Sequence, residues 1–389
     1  MGKTLTPQNL GEKNKKAIIE LLRSRGSLSR ADISRALNLS FPTVSSHVNY
    51  LLENDYVNEI GEGTNTLGRK STLIGFNARK GLVVGLDLGR SLIRLKISDL
   101  LGNSLITLSN KVDRQNNGNS LVNRLNALIA EAVQQCGISM EDIMCVGVGI
   151  PGVLDKESGK MILVPYATGW DHINIQDELT QIFDCPIVIE NSVNLGAVGE
   201  VWKGCGRKFR NLVYINYGVG IGSALIINGS LCTGKNGIAG EIGYAVASPE
   251  CILKEYNVEG SLEQLISGNS IDMELRQSQL GISSLSELFE MDSAEAAEKR
   301  NVILHKIEMY FGVVLINLAS ILNPEAIILS GGIGTNVGKL LIPRWEKMLE
   351  TNLPVPPKLI CSKMKSEENV YGAIRYALEN IDDAYCSWG

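Results

Sequence analysis

Residues 82–110 read LVVGLDLGRSLIRLKISDLLGNSLITLSN, and this stretch decides the fold of most of the chain. Its apolar runs are separated by a glycine-rich turn after Asp87 and by a second turn at Gly102, which predicts three consecutive strands. A similar pattern returns in residues 212–234, LVYINYGVGIGSALIINGSLCTG, about 130 residues further along. Stretches with helical periodicity lie between the two. The repeat predicts a duplicated α/β architecture with a cleft between two lobes.

The first 80 residues follow a different pattern, in which short helices precede two strands. After a first amphipathic helix, Ser29-x-x-Asp32 is a capping signal for a second helix, and Ser40 with Pro42 is one for a third. Two alternating stretches follow and are joined by the basic-tipped segment GEGTNTLGRK (61–70). This order of elements predicts a winged helix-turn-helix domain, whose third helix enters the major groove of DNA.

Two surfaces of this predicted domain are candidates for DNA contact. The buried stripe of the third helix leaves short hydroxyl and amide side chains that can approach base edges closely. They are Thr43, Ser45, Ser46 and Asn49. The tip of the wing carries Arg69 and Lys70, which can reach phosphates or the minor groove. The alternative is a small packed module that docks onto protein, since helix-turn-helix shapes also occur without DNA.

The sign of the net charge changes after about residue 80, where the pattern of elements also changes. The 389 residues together have a net charge of -5, which argues against a protein that coats nucleic acid or acidic membranes. Residues 1–80, however, contain 12 Lys and Arg against 7 Asp and Glu, a net charge of +5, and the rest of the chain has a net charge of -10. We expect two domains, 1–78 and 79–389, the second with one lobe at about 79–195 plus the C-terminal helix and another at about 196–365.

The cysteines and the apolar stretches bear on the compartment. The eight cysteines are scattered without a CxxC pair, which favours a reduced cytoplasm over an oxidising compartment. The N-terminus lacks the apolar core of a signal peptide, and the most apolar stretch, 310–322, is interrupted by Asn317 and Ser320. We expect a cytoplasmic protein without a membrane span.

Six segments, in order along the chain, carry a resemblance to a known family. They are GLDLGRS (85–91), GVGIPGVLD (147–155), VIENSVNLGAVGEVWKG (188–204), GVGIGSALIINGSLCTGKNGIAGEIGY (218–244), GSLEQLISG (260–268) and LNPEAIILSGGIG (322–334). They resemble the ROK family of repressors, open reading frames and sugar kinases. The resemblance covers nearly the whole chain and implies an α/β, actin-like ATPase or sugar-kinase fold with two duplicated lobes. The family's repressors, including the xylose repressors, place a winged helix-turn-helix before it.

The resemblance also implies a sugar site. The positions that match the family's sugar contacts are Asn191, Ser192, Glu241, Tyr244 and Glu263. Such acceptors and donors suit a sugar, because each hydroxyl buried without a partner costs about 1 to 3 kcal/mol and one carboxylate accepts from two hydroxyls. Purely structural interpretations remain open: Asn191 can cap a helix, Glu241 can be a solvated loop acid, and Glu263 can be an acid at a helix N-terminus.

Departures from the family's pattern concern catalysis and metal binding. Ser192 stands where the kinases have the aspartate that acts as catalytic base, and a hydroxyl is far too weak a base at neutral pH. The phosphate loops differ at Arg90 and Val219. Tyr244 replaces a histidine, and Cys251 is alone where most members have a tight zinc-binding cysteine cluster. We expect no catalytic residue, no metal and no cofactor.

These observations together predict a sugar-responsive transcriptional regulator, a repressor of carbohydrate-metabolism genes of the xylose-repressor type. It would bind a pseudo-palindromic operator as a homo-oligomer, either a dimer or a tetramer, because one winged helix makes few base contacts. Its effector would be a monosaccharide or a sugar phosphate that it does not phosphorylate. Two alternatives stay open: an ATP-dependent, glucokinase-like sugar kinase, and a ligand-independent DNA-binding protein whose cleft has decayed.

Overall fold

The computed structural model describes residues 7–64, 70–89, 92–111, 118–154, 161–162, 174–252 and 259–385. The helices are α1 (Pro7–Arg25), α2 (Arg30–Leu37), α3 (Phe41–Glu53), α4 (Gly118–Cys136), α5 (Ile175–Thr180), α6 (Ser192–Trp202), α7 (Ser261–Ile266), α8 (Gly268–Arg276), α9 (Leu285–Glu290), α10 (Ala294–Leu322), α11 (Gly331–Asn352) and α12 (Glu368–Tyr385). The strands are β1 (Leu28–Ser29), β2 (Val57–Thr64), β3 (Lys70–Phe76), β4 (Leu82–Leu88), β5 (Leu92–Asp99), β6 (Ser104–Lys111), β7 (Ile143–Ile150), β8 (Val153–Leu154), β9 (Met161–Ile162), β10 (Ile187–Asn191), β11 (Leu212–Tyr217), β12 (Ile221–Ile227), β13 (Ser230–Cys232), β14 (Ala326–Ser330) and β15 (Lys358–Cys361).

The head, as we call residues 7–80, contains α1 to α3 and a small sheet in the order β1-β3-β2. The predicted caps are present: the Ser29 hydroxyl accepts from the N–H of Asp32 (3.2 Å), the Asp32 carboxylate accepts from the N–H of Ser29 (3.3 Å), and Ser40 accepts from the N–H of Thr43 (3.3 Å). Each serine satisfies a backbone donor at a helix start, which sets the entry points of α2 and α3.

The first large sheet has the strand order β10-β7-β4-β5-β6. The antiparallel meander β4-β5-β6 arises from the opening stretch of the sequence, and β7 and β10 then pair in parallel after helical crossovers. The central strand β4 is buried along its full length, as expected for a strand covered on both faces. Its core includes Leu86 and Val148 with Leu125 of α4.

The second large sheet repeats this topology in the order β13-β12-β11-β14-β15. The meander β11-β12-β13 is followed by the parallel strands β14 and β15, so β11 corresponds to β4. The hairpin between β12 and β13 turns at Asn228 and Gly229, whose φ angles of 55° and 83° suit an Asn-Gly turn. The duplicated architecture that the sequence repeat predicts is present.

Helix α10 packs on the second sheet. Among the described helices it alone is long and apolar enough to cross a bilayer by length and composition. Its inner face, however, places Ile303, Ile307 and Phe311 in the core, where Phe311 contacts Trp345 of α11. Helix α10 is therefore a core helix of the second lobe.

Helices α6 and α12 follow the last strand of the first and second sheet and cross each other between the two lobes. The crossing is close because both helices present glycines: a Cβ on Gly199 would overlap the carbonyl oxygen of Glu368, and one on Gly372 would overlap that of Leu195. This contact joins the two halves at the base of the cleft.

The turn between β5 and β6, residues 99–103, lies between the head and α6. The N–H of Leu100 donates to the carbonyl oxygen of Ala78 (3.0 Å), and the Arg23 guanidinium lies 3.5 Å from the carbonyl oxygen of Leu100. On its other side Gly102 lies against Trp202, the last residue of α6, and a Cβ there would overlap the indole ring. The head is thus attached to the first lobe by the chain, by this turn and by an apolar cluster that continues from the head to Val83 and Ile374.

Candidate functional site

A cavity of about 230 Å³ lies between the two large sheets, at the ends of β4, β7, β10 and β11. All five residues that the sequence assigns to a sugar site line it, together with glycines of the second phosphate loop and three further polar residues. The five are Asn191, Ser192, Glu241, Tyr244 and Glu263, and the further polar residues are Asp87, Asn216 and Asn369. Residues from distant parts of the chain are therefore brought to one concave surface.

Asn191 ends β10 and caps α6. Its side-chain oxygen accepts from the N–H groups of Val193 (2.7 Å) and Asn194 (3.3 Å), and its amide donates to the carbonyl oxygen of Gly152 (2.8 Å). The helix-capping interpretation is correct, and the capping hydrogen bonds also hold the Asn191 side chain in the cavity wall. The cap orients the residue that lines the cavity.

Ser192, the first residue of α6, is buried and donates its hydroxyl to the Asp87 carboxylate (3.1 Å). A residue at this place can help position a ligand, but its hydroxyl is already committed to a carboxylate and cannot remove a proton from a substrate.

The second lobe supplies two carboxylates and a phenol. Glu263 lies in the first turn of α7, as the helix N-terminus interpretation predicts, but it is only 6% exposed and accepts from the N–H of Ile221 (2.8 Å). Glu241 is half-buried and precedes a 3₁₀ turn that ends at Tyr244. Burial, and then the neighbouring Glu241 and Glu263, raise the pKa of the Tyr244 phenol. The phenol therefore stays neutral and can both donate to and accept from a hydroxyl.

Asp87 and Asn369 line the cavity although sequence reasoning assigned them no ligand role. Asp87 is 1% exposed, and its carboxylate accepts from Ser192, from the Asn369 amide (3.3 and 3.4 Å) and from Arg94 (3.3 Å). Burial raises the pKa of this carboxyl, and Arg94 and the two hydrogen-bonding side chains oppose that rise. The position of Asp87 before a glycine-rich turn could have indicated from the sequence that it lines the cavity. No sequence feature indicated this for Asn369, which is 282 residues away.

A second cavity, of about 670 Å³, lies beyond Val219, which lines both cavities. Its lining combines apolar side chains, such as Phe289, with polar ones, such as Lys339, and it includes Gly332 of the family-like segment 322–334. Arg90, one of the two departures noted in the phosphate loops, lies outside the described residues.

The residues do not fit a zinc site of the kind found in most of the family. Segment 245–260 contains a single cysteine and no histidine. Cys251 is buried, with its sulfur 3.4 Å from the Ser248 hydroxyl. Over the described part of the chain, no group of three or more His, Cys, Asp or Glu side chains could hold a metal ion. A tetrahedral zinc site needs about four such ligands.

The outward face of α3 is the candidate nucleic-acid interface. Ser46 and Asn49 are exposed, whereas Thr43 and Ser45 are half-buried. The Thr43 hydroxyl is 2.7 Å from that of Ser40. The Asn49 side-chain oxygen accepts from Arg30 (3.1 Å), a basic residue of α2 that sequence reasoning missed and that also lies 3.6 Å from the Glu59 carboxylate. Of the wing residues, Lys70 opens β3 and Arg69 lies outside the described residues.

Two family models match different parts of the chain. The model of the ROK family matches residues 83–380, and a model described as winged helix-turn-helix DNA-binding matches residues 12–58. The first match lies on the two duplicated lobes and the second on the helices of the head and the start of β2. The predicted fold class, an actin-like sugar-kinase fold preceded by a winged helix-turn-helix, is confirmed.

Similar proteins include regulators and kinases. The xylose repressor of Caldicellulosiruptor bescii is 26% identical over 385 residues, 95% of this chain and 96% of the repressor. The glucokinase of Halalkalibacterium halodurans is 28% identical over 278 residues, 67% of this chain and 83% of the kinase. A crystal structure of a ROK family transcriptional regulator, a homologue of the E. coli MLC protein, superposes with a TM-score of 0.72 at 18% identity and covers 98% of this chain and 100% of the regulator. The chain therefore belongs to the ROK family and carries a winged helix-turn-helix before its kinase-like lobes.

Proposed function

We propose that this chain is a sugar-responsive transcriptional repressor of carbohydrate-metabolism genes, which acts in the cytoplasm as a homo-oligomer, either a dimer or a tetramer, on operator DNA. In this proposal residues 1–78 read the operator and residues 79–389 bind the sugar. The similarity to xylose repressors over nearly the whole length supports it, as does the winged helix-turn-helix.

The observation that carries the proposal is the convergence of polar groups on one cavity. Three acids, a phenol and three side-chain amides from both lobes line it. A sugar presents several hydroxyls, and each of these must be matched by an acceptor or donor when water is excluded. The cavity offers such partners on opposite walls, so a bound sugar would contact both lobes and favour a closed cleft.

The proposal excludes phosphoryl transfer. Ser192 cannot serve as the base that activates a sugar hydroxyl, and it already donates to Asp87. Relatives of this chain nevertheless include glucokinases, so the sugar-kinase alternative needs its own test. A coupled assay with ATP and monosaccharides should show no sugar-dependent turnover. Turnover that disappears in Glu241→Ala would establish the kinase alternative instead.

The effector can change operator binding only if it binds one arrangement of the protein more tightly than another. Helix α6 starts at the cavity with Ser192 and ends with Trp202 at the turn that contacts the head. A change in cleft closure would therefore displace a contact of the DNA-binding head and alter the spacing of two heads in an oligomer.

A thermal-shift screen with common monosaccharides tests the sugar site. We expect one of them to raise the melting temperature of the wild type and to raise that of Glu263→Gln clearly less at the same concentration, because the lost carboxylate weakens binding about 10-fold or more. Glu346→Gln, an exposed acid on α11, is the matched control and should respond like the wild type. If no sugar shifts either the melting temperature or operator affinity, the ligand-independent alternative replaces this proposal.

Operator affinity tests the DNA-binding head. With an operator selected from random duplexes, Arg69→Ala should bind more weakly and with a salt dependence reduced by about one phosphate contact. Lys347→Ala, an exposed base on α11, is the control and should match the wild type. Equal operator affinity in the wild type and Arg69→Ala would refute the wing assignment.

A further inference from the structure

The first residue of α3, Phe41, exposes an aromatic side chain. Phe41 is 54% exposed, whereas Val44, Val48 and Leu51 bury the inner side of the same helix completely. Phe41 belongs to none of the apolar clusters that the described residues form. A ring of this size is favoured in contact with apolar groups rather than with water. Phe41 therefore presents apolar surface that the packing of the described chain does not use.

A single exposed apolar side chain is ordinary on a protein surface, but Phe41 stands at the start of the predicted recognition helix. In a helix-turn-helix, the N-terminal residues of that helix contact base edges. The start of α3 is fixed by Ser40, whose side chain accepts from the N–H of Thr43 (3.3 Å), and by Pro42 in the first turn. Ser45 follows one helical turn after Phe41, on the same side of the helix. The ring therefore lies at the end of α3 that would reach the bases, beside residues that the sequence assigns to DNA.

The composition of α3 limits which base contact this ring can make. Residues 41–53 contain no lysine and no arginine, so α3 itself lacks the side chains that bind guanine O6 and N7 in a bidentate manner. A phenyl ring forms no conventional hydrogen bond, and against the polar edge of a base it would leave donors or acceptors unsatisfied. The apolar group that a base pair presents in the major groove is the C5-methyl group of thymine. Thymine is therefore the base that matches Phe41.

We infer that Phe41 packs against the C5-methyl group of one thymine in each half-site of the operator and thereby determines the preferred base at that position. This inference rests on the proposed function, because it requires α3 to enter the major groove, and it adds a specificity-determining residue to the hydroxyl and amide side chains of α3. Cytosine at the same position would lack the methyl group and would present an amino group that the ring cannot match. Phosphate contacts of the head carry no direct sequence information and are independent of this contact.

Removal of a single methyl group from the operator tests the inference. The full-length wild type first selects an operator from random duplexes, and this operator is then remade with deoxyuridine in place of one thymidine at a time. Deoxyuridine pairs like thymidine and lacks only the C5-methyl group. At one thymidine of each half-site we expect the wild type to bind about 4-fold more weakly after the replacement. Phe41→Ala should bind the selected operator more weakly than the wild type and should not distinguish the two nucleotides at that position, because both changes remove the same contact.

Two further variants control this experiment. Ser46→Ala is the matched control on the same helix, because Ser46 is exposed and offers a hydroxyl instead of an apolar surface. Whatever its overall affinity, Ser46→Ala should keep the wild-type response to deoxyuridine at the same thymidine. Phe41→Gln should behave like Phe41→Ala, and it decides the matter if Phe41→Ala does not fold.

The outcomes separate this inference from the proposed function. A wild type without a deoxyuridine-sensitive position, or a Phe41→Ala variant that keeps the wild-type response, would overturn the role of Phe41 and leave the proposed function standing. Operator affinity that is unchanged in Phe41→Ala would also overturn it and would assign the exposed ring to a protein contact. If the wild type selects no operator with or without added sugar, the proposed function and this inference both fail.

Discussion

The two large sheets have the same strand order but hold charge differently at their cleft ends. In the first sheet, β4 places Asp87 opposite Arg94 of β5. In the second sheet, the corresponding strand β11 places Asn216 opposite Gly222 of β12, so that an uncharged amide faces a glycine. Topology therefore determines where strand ends and cavity walls meet, while the residues at those ends determine whether a charge is present and compensated there.

The helices that follow the two sheets show the same contrast. Helix α6 begins with Ser192, whose hydroxyl donates to Asp87. Helix α12 begins with Glu368, which is 3% exposed and has no contact with a cation among the described ion pairs. The first half pairs the buried Asp87 with Arg94, whereas the buried Glu368 of the second half accepts from the hydroxyls of Ser330 and Tyr214. Three changes test what the halves share and where they differ.

The largest effect is expected where the halves share a feature, at the crossing of α6 and α12. Gly372→Ala should lower the free energy of unfolding by about 3 kcal/mol, because the new methyl group overlaps the carbonyl oxygen of Leu195 and the two helices must separate. Urea unfolding measures the change. Gly332→Ala is the matched control, since nothing lies within 4 Å of a Cβ at that position. Similar losses for both variants would contradict the close crossing.

An intermediate effect is expected from exchanging charge between the sheets. Asp87→Asn removes the partner of Arg94 and should cost about 1.5 kcal/mol in the free energy of unfolding. Asn216→Asp makes the second sheet resemble the first without supplying a cation, and because Asn216 is half-buried it should cost about 0.5 to 1 kcal/mol. A larger loss for Asn216→Asp than for Asp87→Asn would show that the Asp87–Arg94 pair is not what distinguishes the halves.

The smallest effect is expected in the pH dependence of stability. The Glu368 carboxylate accepts from the hydroxyls of Ser330 and Tyr214 on one oxygen, while its other oxygen is buried without a hydrogen-bond partner among the described residues. Burial raises the pKa of Glu368 above its ordinary value of 4.5, and the Ser330 hydroxyl only partly opposes this. The folded state therefore binds this proton more tightly than the unfolded state does.

The sign of the effect follows from that difference. The stabilisation from Glu368 is fully present below pH 4.5 and declines as the pH rises towards the raised pKa of the folded state. Glu368→Gln lacks this titration, so the wild type should lose stability relative to the variant as the pH rises above 4.5. Unfolding curves over this range measure the difference. Parallel pH profiles for the two proteins would mean that Glu368 does not carry the raised pKa.

Local patterns in the sequence predicted most of the architecture. The alternation and the glycine turns placed the two meanders, and the serine caps placed the starts of α2 and α3, because each of these signals acts within a few residues. One element was not predicted: the two-residue strand β1 is too short to leave a pattern. The positions of the five candidate sugar residues came from the family resemblance.

The contacts that complete the site depend on the closed fold and could not be predicted locally. Asp87 and Arg94 are seven residues apart, and their pairing depends on the register of one hairpin. Asn369 reaches Asp87 only because α12 returns from the C-terminal part of the chain to the first lobe. The buried state of Glu368 likewise depends on Tyr214 and Ser330 of the second sheet. Helical periodicity carries no information about such distant partners.

The turn of residues 99–103 has a consequence for exchanging parts between relatives. It is stiffened by the Asp99 carboxylate, which accepts from the N–H groups of Leu101 and Asn103 (2.9 Å each), and it presents Leu100 to the head and Gly102 to Trp202. A chimaera that replaces residues 1–78 alone would keep the cleft and gain a new operator preference, yet it would lose the matched surface on which the head sits. Transplanting a DNA-binding head therefore requires the transplanted piece to include, or be fitted to, this turn of the other domain.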